Sequence, residues 1–276
     1  MPELRIDGLE THYEDRGSGP PVVLVHGLGG STALWKEVDG DLARDFRVLA
    51  YELRGGGRGG GPPGPVAFEQ LVGDLHGLIE ALDLGRVSLV AHSLGGTIAL
   101  AFAARYPNHV AAVVGVGAPA ELPAQSREAM RARGETVESE GMGAVAETVA
   151  RNGTAPAFHE RPERLAAFVR LLAANDPGGY AALCRVVAGI DITDELQRIA
   201  VPVLLLGGDR DPVVPPAARE AMAARIPGAK SVEVESCGHI VPLEQPAVLV
   251  ERVRAFLQTA TPPSRRRSPA AESVDR

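Results

Sequence analysis

The chain is poor in the residues that mark several specialised classes of protein. Among its 276 residues there are two cysteines, Cys184 and Cys237, and aromatic residues make up only 4%. Two cysteines so far apart do not build a disulfide framework, and no cysteine and histidine cluster has zinc-site spacing. We therefore expect no metal and no cofactor, and a core filled mainly by Ala, Val and Leu.

Long apolar runs and an excess of basic charge are absent as well. No stretch of 18 apolar residues occurs, and the N-terminus lacks the basic and apolar regions of a signal peptide. The formal net charge is −7, which argues against nucleic acid or an anionic membrane as a partner. We expect a cytoplasmic protein that acts on a small molecule, and a homo-oligomer stays open.

Hydrophobic residues make up 45% of the chain, and strand-like runs alternate with helical patterns. This alternation predicts an α/β fold with a mostly parallel sheet covered by helices on both faces. The helix at 68–82 has the clearest amphipathic pattern, with one apolar face. The eight predicted strands are at residues 4–6, 9–14, 22–26, 47–51, 87–91, 110–116, 201–207 and 231–235.

The alternation stops between residues 120 and 190. Helical stretches broken by Gly and Pro occupy this segment, and they predict an inserted helical cap over a core of residues 1–119 and 191–260. Residues 261–276 contain prolines and three consecutive arginines without apolar periodicity, which predicts a disordered tail. The predicted cap helices are at 125–133, 142–151, 162–174 and 179–187, and a further core helix is predicted at 33–43.

Ser93 is the most informative residue of the chain. An apolar, β-branched run ends at Ala91, and a helical pattern begins directly after Ser93. This is the strand, turn and helix that a nucleophile elbow requires, and small residues such as Ala91 and Gly95 allow its sharp turn. Cys237 lies in no such context, so we do not expect it to be the nucleophile.

A glycine-rich loop follows the predicted strand at 22–26. It reads HGLGG from residue 26 to residue 30, and such a loop can direct backbone N–H groups at one point. The N–H groups of Leu28 and Leu94 would then form an oxyanion hole for acyl transfer. The alternative for this loop is a plain tight turn between a strand and a helix.

Two further loops carry an acid and a base. Asp209 and Asp211 follow the predicted strand at 201–207, and His239 follows the short strand at 231–235. Either aspartate could orient the histidine and stabilise its cation. The chain order of Ser, Asp and His is that of the α/β-hydrolases.

These motifs resemble those of the α/β-hydrolase superfamily over roughly residues 4–258, nearly the whole chain. The resemblance is nearest to the group that holds 3-oxoadipate enol-lactonases and cofactor-free haloperoxidase-like esterases. It implies the α/β-hydrolase fold and favours Asp211 as the acid, with Asp209 second and Glu121 a remote third. The motifs are HG at 26–27, AHSLGG at 91–96, GDRDP at 208–212 and CGH at 237–239.

One segment departs from the family pattern of Asp-x-Arg-Gly-His-Gly-x-Ser. Glu52 stands in place of the Asp, Gly56 in place of the His and Gly59 in place of the Ser. We expect this glycine-rich loop, residues 55–61, to lose packing and to be mobile. Its GxGxxG pattern is not a dinucleotide site, because the prolines that follow block the required helix.

The sequence therefore predicts a serine hydrolase that cleaves an ester or a lactone through Ser93, His239 and Asp211. Trp35, Phe158, Tyr180 and Ile240 are candidates for substrate binding. For Phe158 and Tyr180, packing within the cap is the favoured alternative, and for Trp35 packing in a helix is an equal one. A carbon–carbon hydrolase, an acyltransferase, a cofactor-free oxygenase or haloperoxidase, a biosynthetic cyclase and a non-catalytic ligand-binding protein remain as alternatives.

Overall fold

The computed structural model describes residues 3–6, 8–57 and 64–260. Within these ranges eight strands form one sheet in the order β1-β2-β4-β3-β5-β6-β7-β8. The β1–β2 and β2–β4 pairs are antiparallel and the other neighbours are parallel, which confirms the predicted sheet. The strands are β1 (Glu3–Ile6), β2 (Leu9–Gly17), β3 (Pro21–Val25), β4 (Arg47–Tyr51), β5 (Val87–His92), β6 (Val110–Val116), β7 (Val203–Gly208) and β8 (Lys230–Val234).

Helices cover both faces of this sheet. The side chains of α2 and α3 pack in one apolar cluster, and those of α1 and α11 pack in a second cluster on the other face. Every residue of β5 is buried, as expected for a central parallel strand. The helices are α1 (Asp39–Leu42), α2 (Phe68–Ala81), α3 (Leu94–Arg105), α4 (Ala124–Glu140), α5 (Ala146–Gly153), α6 (Pro156–His159), α7 (Pro162–Ala173), α8 (Pro177–Gly189), α9 (Pro216–Arg225), α10 (Val241–Glu244) and α11 (Pro246–Ala260).

A helical insertion, α4 to α8, separates β6 from β7. Its two ends lie side by side, because Glu121 and Asp191 form an antiparallel bridge and the Ile192 N–H donates to the Ala120 carbonyl at 3.0 Å. The chain therefore leaves the sheet and returns to it through one narrow connection.

Helix α4 is longer than the sequence predicts, since it continues through Gly134. A Cβ at Gly134 would lie 3.2 Å from the Cβ of Cys184 on α8. The glycine is therefore the point where two helices approach closely, and not a helix end.

The predicted helix at 33–43 is wrong. The chain instead forms a 3-10 helix, Thr32–Trp35, and then the short helix α1. The Val38 N–H donates to the Trp35 carbonyl, which closes a turn tighter than that of an α-helix. Among the described residues, no helix has both the length and the apolar character that crossing a bilayer requires.

The glycine loop keeps its packing at Gly55, Gly56 and Gly57, contrary to our expectation. Gly55 and Gly56 are buried, and a Cβ at Gly55 would lie 3.1 Å from the Gly179 carbonyl of α8. A Cβ at Gly57 would overlap Oε2 of Glu52. The longer acid at 52 thus fills the space of a side chain at 57. The rest of this loop, 58–63, and the predicted tail, 261–276, lie outside the described residues.

Candidate active site

Ser93 occupies the sharp turn between β5 and α3. Its backbone has φ 52° and ψ −120°, a conformation that non-glycine residues rarely adopt. Its N–H donates to the Val116 carbonyl of β6 at 2.8 Å. The turn is possible because Gly95 lies against the carbonyls of Val25 and His26, where a Cβ would overlap them.

Ser93, His239 and Asp211 form a continuous hydrogen-bonded chain. His239 Nε2 lies 3.0 Å from Ser93 Oγ, and His239 Nδ1 lies 2.9 Å from Asp211 Oδ2. His239 and Asp211 are buried, whereas Ser93 is half-buried. This arrangement has the geometry of a nucleophile, a base and an orienting acid.

The environment of Asp211 favours its charged form. Burial by itself would raise its pKa, but the facing His239 and the N–H groups of Val213 and Val214 lower the pKa below the ordinary value. Asp211 is therefore ionised at neutral pH and can stabilise a histidine cation.

The other two acids that the sequence suggests have different contacts. Asp209 accepts the N–H of Cys237 at 3.0 Å, so it holds the loop before His239. Glu121 pairs with Arg127 on an exposed surface. Burial raises the pKa of the Cys237 thiol, which disfavours the thiolate that a cysteine nucleophile needs.

The loop that carries Leu28 lies close to Ser93. A Cβ at Gly27 would be 2.8 Å from the Cβ of Ser93, so only glycine allows this approach. Leu94 is the first residue of α3, and N–H groups in the first turn of a helix have no partner within the helix. An oxyanion hole formed by the N–H groups of Leu28 and Leu94 stays a prediction.

Glu244, which the sequence reasoning missed, holds the loop of His239. Its buried carboxylate accepts N–H groups from Gly238 at 2.9 Å, Ile240 at 3.1 Å and Ala155 at 2.8 Å. Burial raises its pKa, and the same three N–H groups oppose that rise. The carboxylate thus connects the histidine loop to the insertion, and no local sequence signal marks this role.

Asn175, at the end of α7, was also missed. Its Nδ2 donates to the Gly29 carbonyl at 3.0 Å, and its Oδ1 accepts the Gly57 N–H at 3.1 Å. One buried amide of the insertion therefore joins the loop of Leu28 to the glycine loop.

Two further histidines at the site are buried and uncharged. Burial lowers the pKa of His92 to about 3, with the nearby His239 adding to this effect. His92 Nε2 lies 3.0 Å from the His239 carbonyl, where it can donate a hydrogen bond. Burial also lowers the pKa of His26, whose Nε2 accepts the Leu53 N–H at 3.0 Å. Both histidines hold backbone in place.

The four candidate substrate-binding residues are all buried. Trp35, Phe158 and Ile240 belong to one apolar cluster that includes residues of the insertion. Tyr180 packs on the loop of Leu28, because a Cβ at Gly29 would be 2.9 Å from its ring. Their burial is consistent with packing, and a contact of any of them with a substrate remains a hypothesis.

A cavity of about 720 Å³ lies beside the loop that follows Asp211. It is lined by residues from the start of the insertion, from α9 and from Val213 to Pro215. Neither Ser93 nor His239 contributes to its lining. Its wall includes Val213 and Val214, whose N–H groups donate to Asp211 of the hydrogen-bonded chain.

The chain is similar to known hydrolases in sequence and in fold. The 3-oxoadipate enol-lactonase 2 of Acinetobacter baylyi is 28% identical over 240 residues, which cover 87% of this chain and 89% of the relative. A thermophilic esterase of Thermogutta terrifontis superposes with a TM-score of 0.89 at 32% identity, covering 94% and 99% of the two chains.

An enol-lactonase of Burkholderia xenovorans is similar to the same degree. It has a TM-score of 0.89 and 32% identity, and the match covers 93% of this chain and all of that structure. The family described as the alpha/beta hydrolase fold matches residues 20–246. The chain therefore belongs to the alpha/beta hydrolase family.

Proposed function

We propose that the protein is a serine hydrolase that cleaves carboxylic esters or lactones through an acyl-enzyme. The observation that carries the proposal is the chain of contacts from Ser93 Oγ to His239 and from His239 to Asp211, at 3.0 and 2.9 Å. The names of the relatives, an esterase and two enol-lactonases, support this substrate class.

In the proposed mechanism Ser93 Oγ attacks the carbonyl carbon while His239 Nε2 accepts the hydroxyl proton. The N–H groups of Leu28 and Leu94 stabilise the negative oxygen of the tetrahedral intermediate. His239 then donates its proton to the leaving alkoxide, and the alcohol departs. Water, deprotonated by His239, attacks the acyl group and releases the acid and Ser93. Asp211 keeps the histidine in the required tautomer throughout.

We propose that residues 120–190 act as a cap that limits the access of water and substrate to Ser93. The support is direct contact with the site. The Gly153 carbonyl accepts the His239 N–H at 2.8 Å, and Asn175 bonds to the loop of Leu28. The substrate is expected to be a small molecule that fits beneath these helices.

The test is pre-steady-state hydrolysis of p-nitrophenyl butyrate by the wild type, by Ser93→Ala and by Ser139→Ala. Ser139 is an exposed residue whose hydroxyl bonds within α4, so it is the matched control. We expect a burst of p-nitrophenol with the wild type and the control, and a loss of kcat of about 10⁴-fold or more with Ser93→Ala.

The proposal would be contradicted if the folded wild type gave no burst of p-nitrophenol and hydrolysed neither this ester nor a simple δ-lactone. Turnover that persists in Ser93→Ala would also reject Ser93 as the nucleophile. The lactone assay separates a narrow lactonase from a protein with no hydrolytic activity.

A further inference from the structure

Three potential metal ligands lie close together near the N-terminal end of β6, at the opposite end of the strands from Ser93. His76 and Glu80 lie one turn apart on α2, and His109 lies in the 3-10 helix Pro107–His109 between α3 and β6. One ligand atom from each residue lies within 4.8 Å of the others. The sequence shows no metal motif at these residues, because they come from two separate elements.

The rings of this cluster are supported by aromatic packing. The ring of His76 stacks on Tyr106 with 4.5 Å between centroids, and it meets the ring of His109 edge-on at 5.1 Å. Both histidines are half-buried and Glu80 is exposed. The histidine rings are thus held in place by packing against neighbouring rings, and the ligand side chains remain accessible to solvent.

The hydrogen bonds of His109 are incomplete. Its Nε2 lies 3.1 Å from Glu80 Oε1, whereas its Nδ1 is buried and has no partner among the described residues. The ring therefore pairs only toward Glu80, and both atoms of that pair are metal-ligand atoms.

The donor set and its dimensions indicate the kind of ion. Two imidazoles and one carboxylate suit zinc and similar transition ions, whereas calcium and magnesium prefer oxygen ligands alone. Nitrogen and oxygen ligands on a tetrahedral zinc are about 3.3 Å apart, given bonds of roughly 2.0–2.1 Å. The His109 and Glu80 atoms are 3.1 Å apart, close to this separation, and the His76 ligand atom lies within 4.8 Å of both.

We propose that His76, Glu80 and His109 bind a divalent transition-metal ion of the zinc class, with water as the fourth ligand. His109 precedes the first residue of β6, whereas Ser93 follows the last residue of β5. The length of a strand, roughly 20 Å, therefore separates the two sites. The ion would tie α2 to the connection between α3 and β6, and it would take no part in ester cleavage.

The test uses tag-free protein stripped with EDTA and titrated with ZnCl₂ in a calorimeter. We expect one zinc per chain, and a melting temperature that rises by roughly 5–10 °C at a zinc concentration about 100 times Kd. Bound Co²⁺ should give the visible absorption of a tetrahedral site. The variants His76→Gln, Glu80→Gln and His109→Gln should each weaken binding by about tenfold or more.

His12→Gln is the matched control, because His12 lies on β2 and outside the cluster. It should bind zinc as the wild type does. All these variants should keep the ester hydrolysis of the wild type, which verifies that they fold. Absence of zinc binding by the wild type, or equal binding by the double variant of His76 and His109, would overturn the proposal. The cluster would then be an aromatic contact with one ion pair.

Discussion

The two ends of the candidate active site are held by different parts of the molecule. The turn of Ser93 is fixed by the central sheet. The Val116 carbonyl accepts the Ser93 N–H, and Gly95 packs closely against the carbonyls of Val25 and His26. The loop of His239 is held by Glu244 and by residues of the insertion, through Gly153 and Ala155.

Because of this difference, we expect the stability of the fold and the alignment of the catalytic side chains to depend on different residues. A change at the serine end disturbs the core of the sheet, so it should act first on folding. A change at the histidine end disturbs a contact between a loop and the insertion, which can shift without unfolding the sheet. It should therefore act first on kcat.

The strongest test of the serine end is Gly95→Ala. In an α-helix this substitution usually stabilises by about 1 kcal/mol, but here the new Cβ would overlap the carbonyl oxygens of Val25 and His26. We expect the free energy of unfolding to fall by about 3 kcal/mol. Thermal unfolding should show a melting temperature lower by roughly 6–12 °C.

Gly73→Ala on α2 is the control for this prediction, because a Cβ there meets nothing within 4 Å. It should raise the melting temperature slightly. If Gly95→Ala is as stable as Gly73→Ala, the serine turn does not depend on the core as described.

The corresponding test of the histidine end is Gly238→Ala. The new Cβ would lie 2.7 Å from the Ala155 nitrogen and 2.8 Å from the Gly153 carbonyl oxygen, so the insertion or His239 must move. We expect kcat for p-nitrophenyl butyrate to fall roughly 10- to 100-fold, because small displacements of a base are costly. The melting temperature should change less than with Gly95→Ala.

Gly143→Ala, a substitution in the insertion with open space around it, should leave kcat unchanged. A Gly238→Ala enzyme with wild-type kcat would mean that the insertion does not align His239.

Asn175→Ala should have the smallest effect of the three. It removes the hydrogen bonds to Gly29 and Gly57, and one such bond is worth about 1 kcal/mol. We expect kcat to fall about fivefold with little change in KM, because the loop of Leu28 is proposed to stabilise the transition state rather than to bind the substrate. Asn175→Asp retains the acceptor for Gly57 and loses the donor to the carbonyls of Gly29, Leu171 and Leu172. Wild-type kcat in that variant would show that the contact with Gly29 is unimportant.

The three predicted residues that the structure brings together share one property. Ser93, Asp211 and His239 each follow a strand, in a turn with a recognisable local pattern, and parallel strands bring such turns to one edge of the sheet. The mostly parallel sheet and the helices on both of its faces were predicted from the same alternation of patterns, whereas the order of the strands within the sheet was not predicted.

Glu244 and Asn175 could not be found in this way. An acid in a short helix or an amide at a helix end is usually exposed. Their burial depends on N–H and carbonyl groups from segments that are distant in the chain. Gly134 was misread for a similar reason, because its partner on α8 is some fifty residues away.

The overlap between Glu52 and Gly57 also restricts the order in which substitutions can accumulate. With glutamate at 52, any side chain at 57 meets its carboxylate. The positive φ of 56° at Gly57 independently favours glycine. The family pattern itself has glycine at 57, so a side chain there would be a new departure from the family, and it first requires a shorter residue at 52. The two positions form an epistatic pair, in which the fitness of the second change depends on whether the first has already occurred.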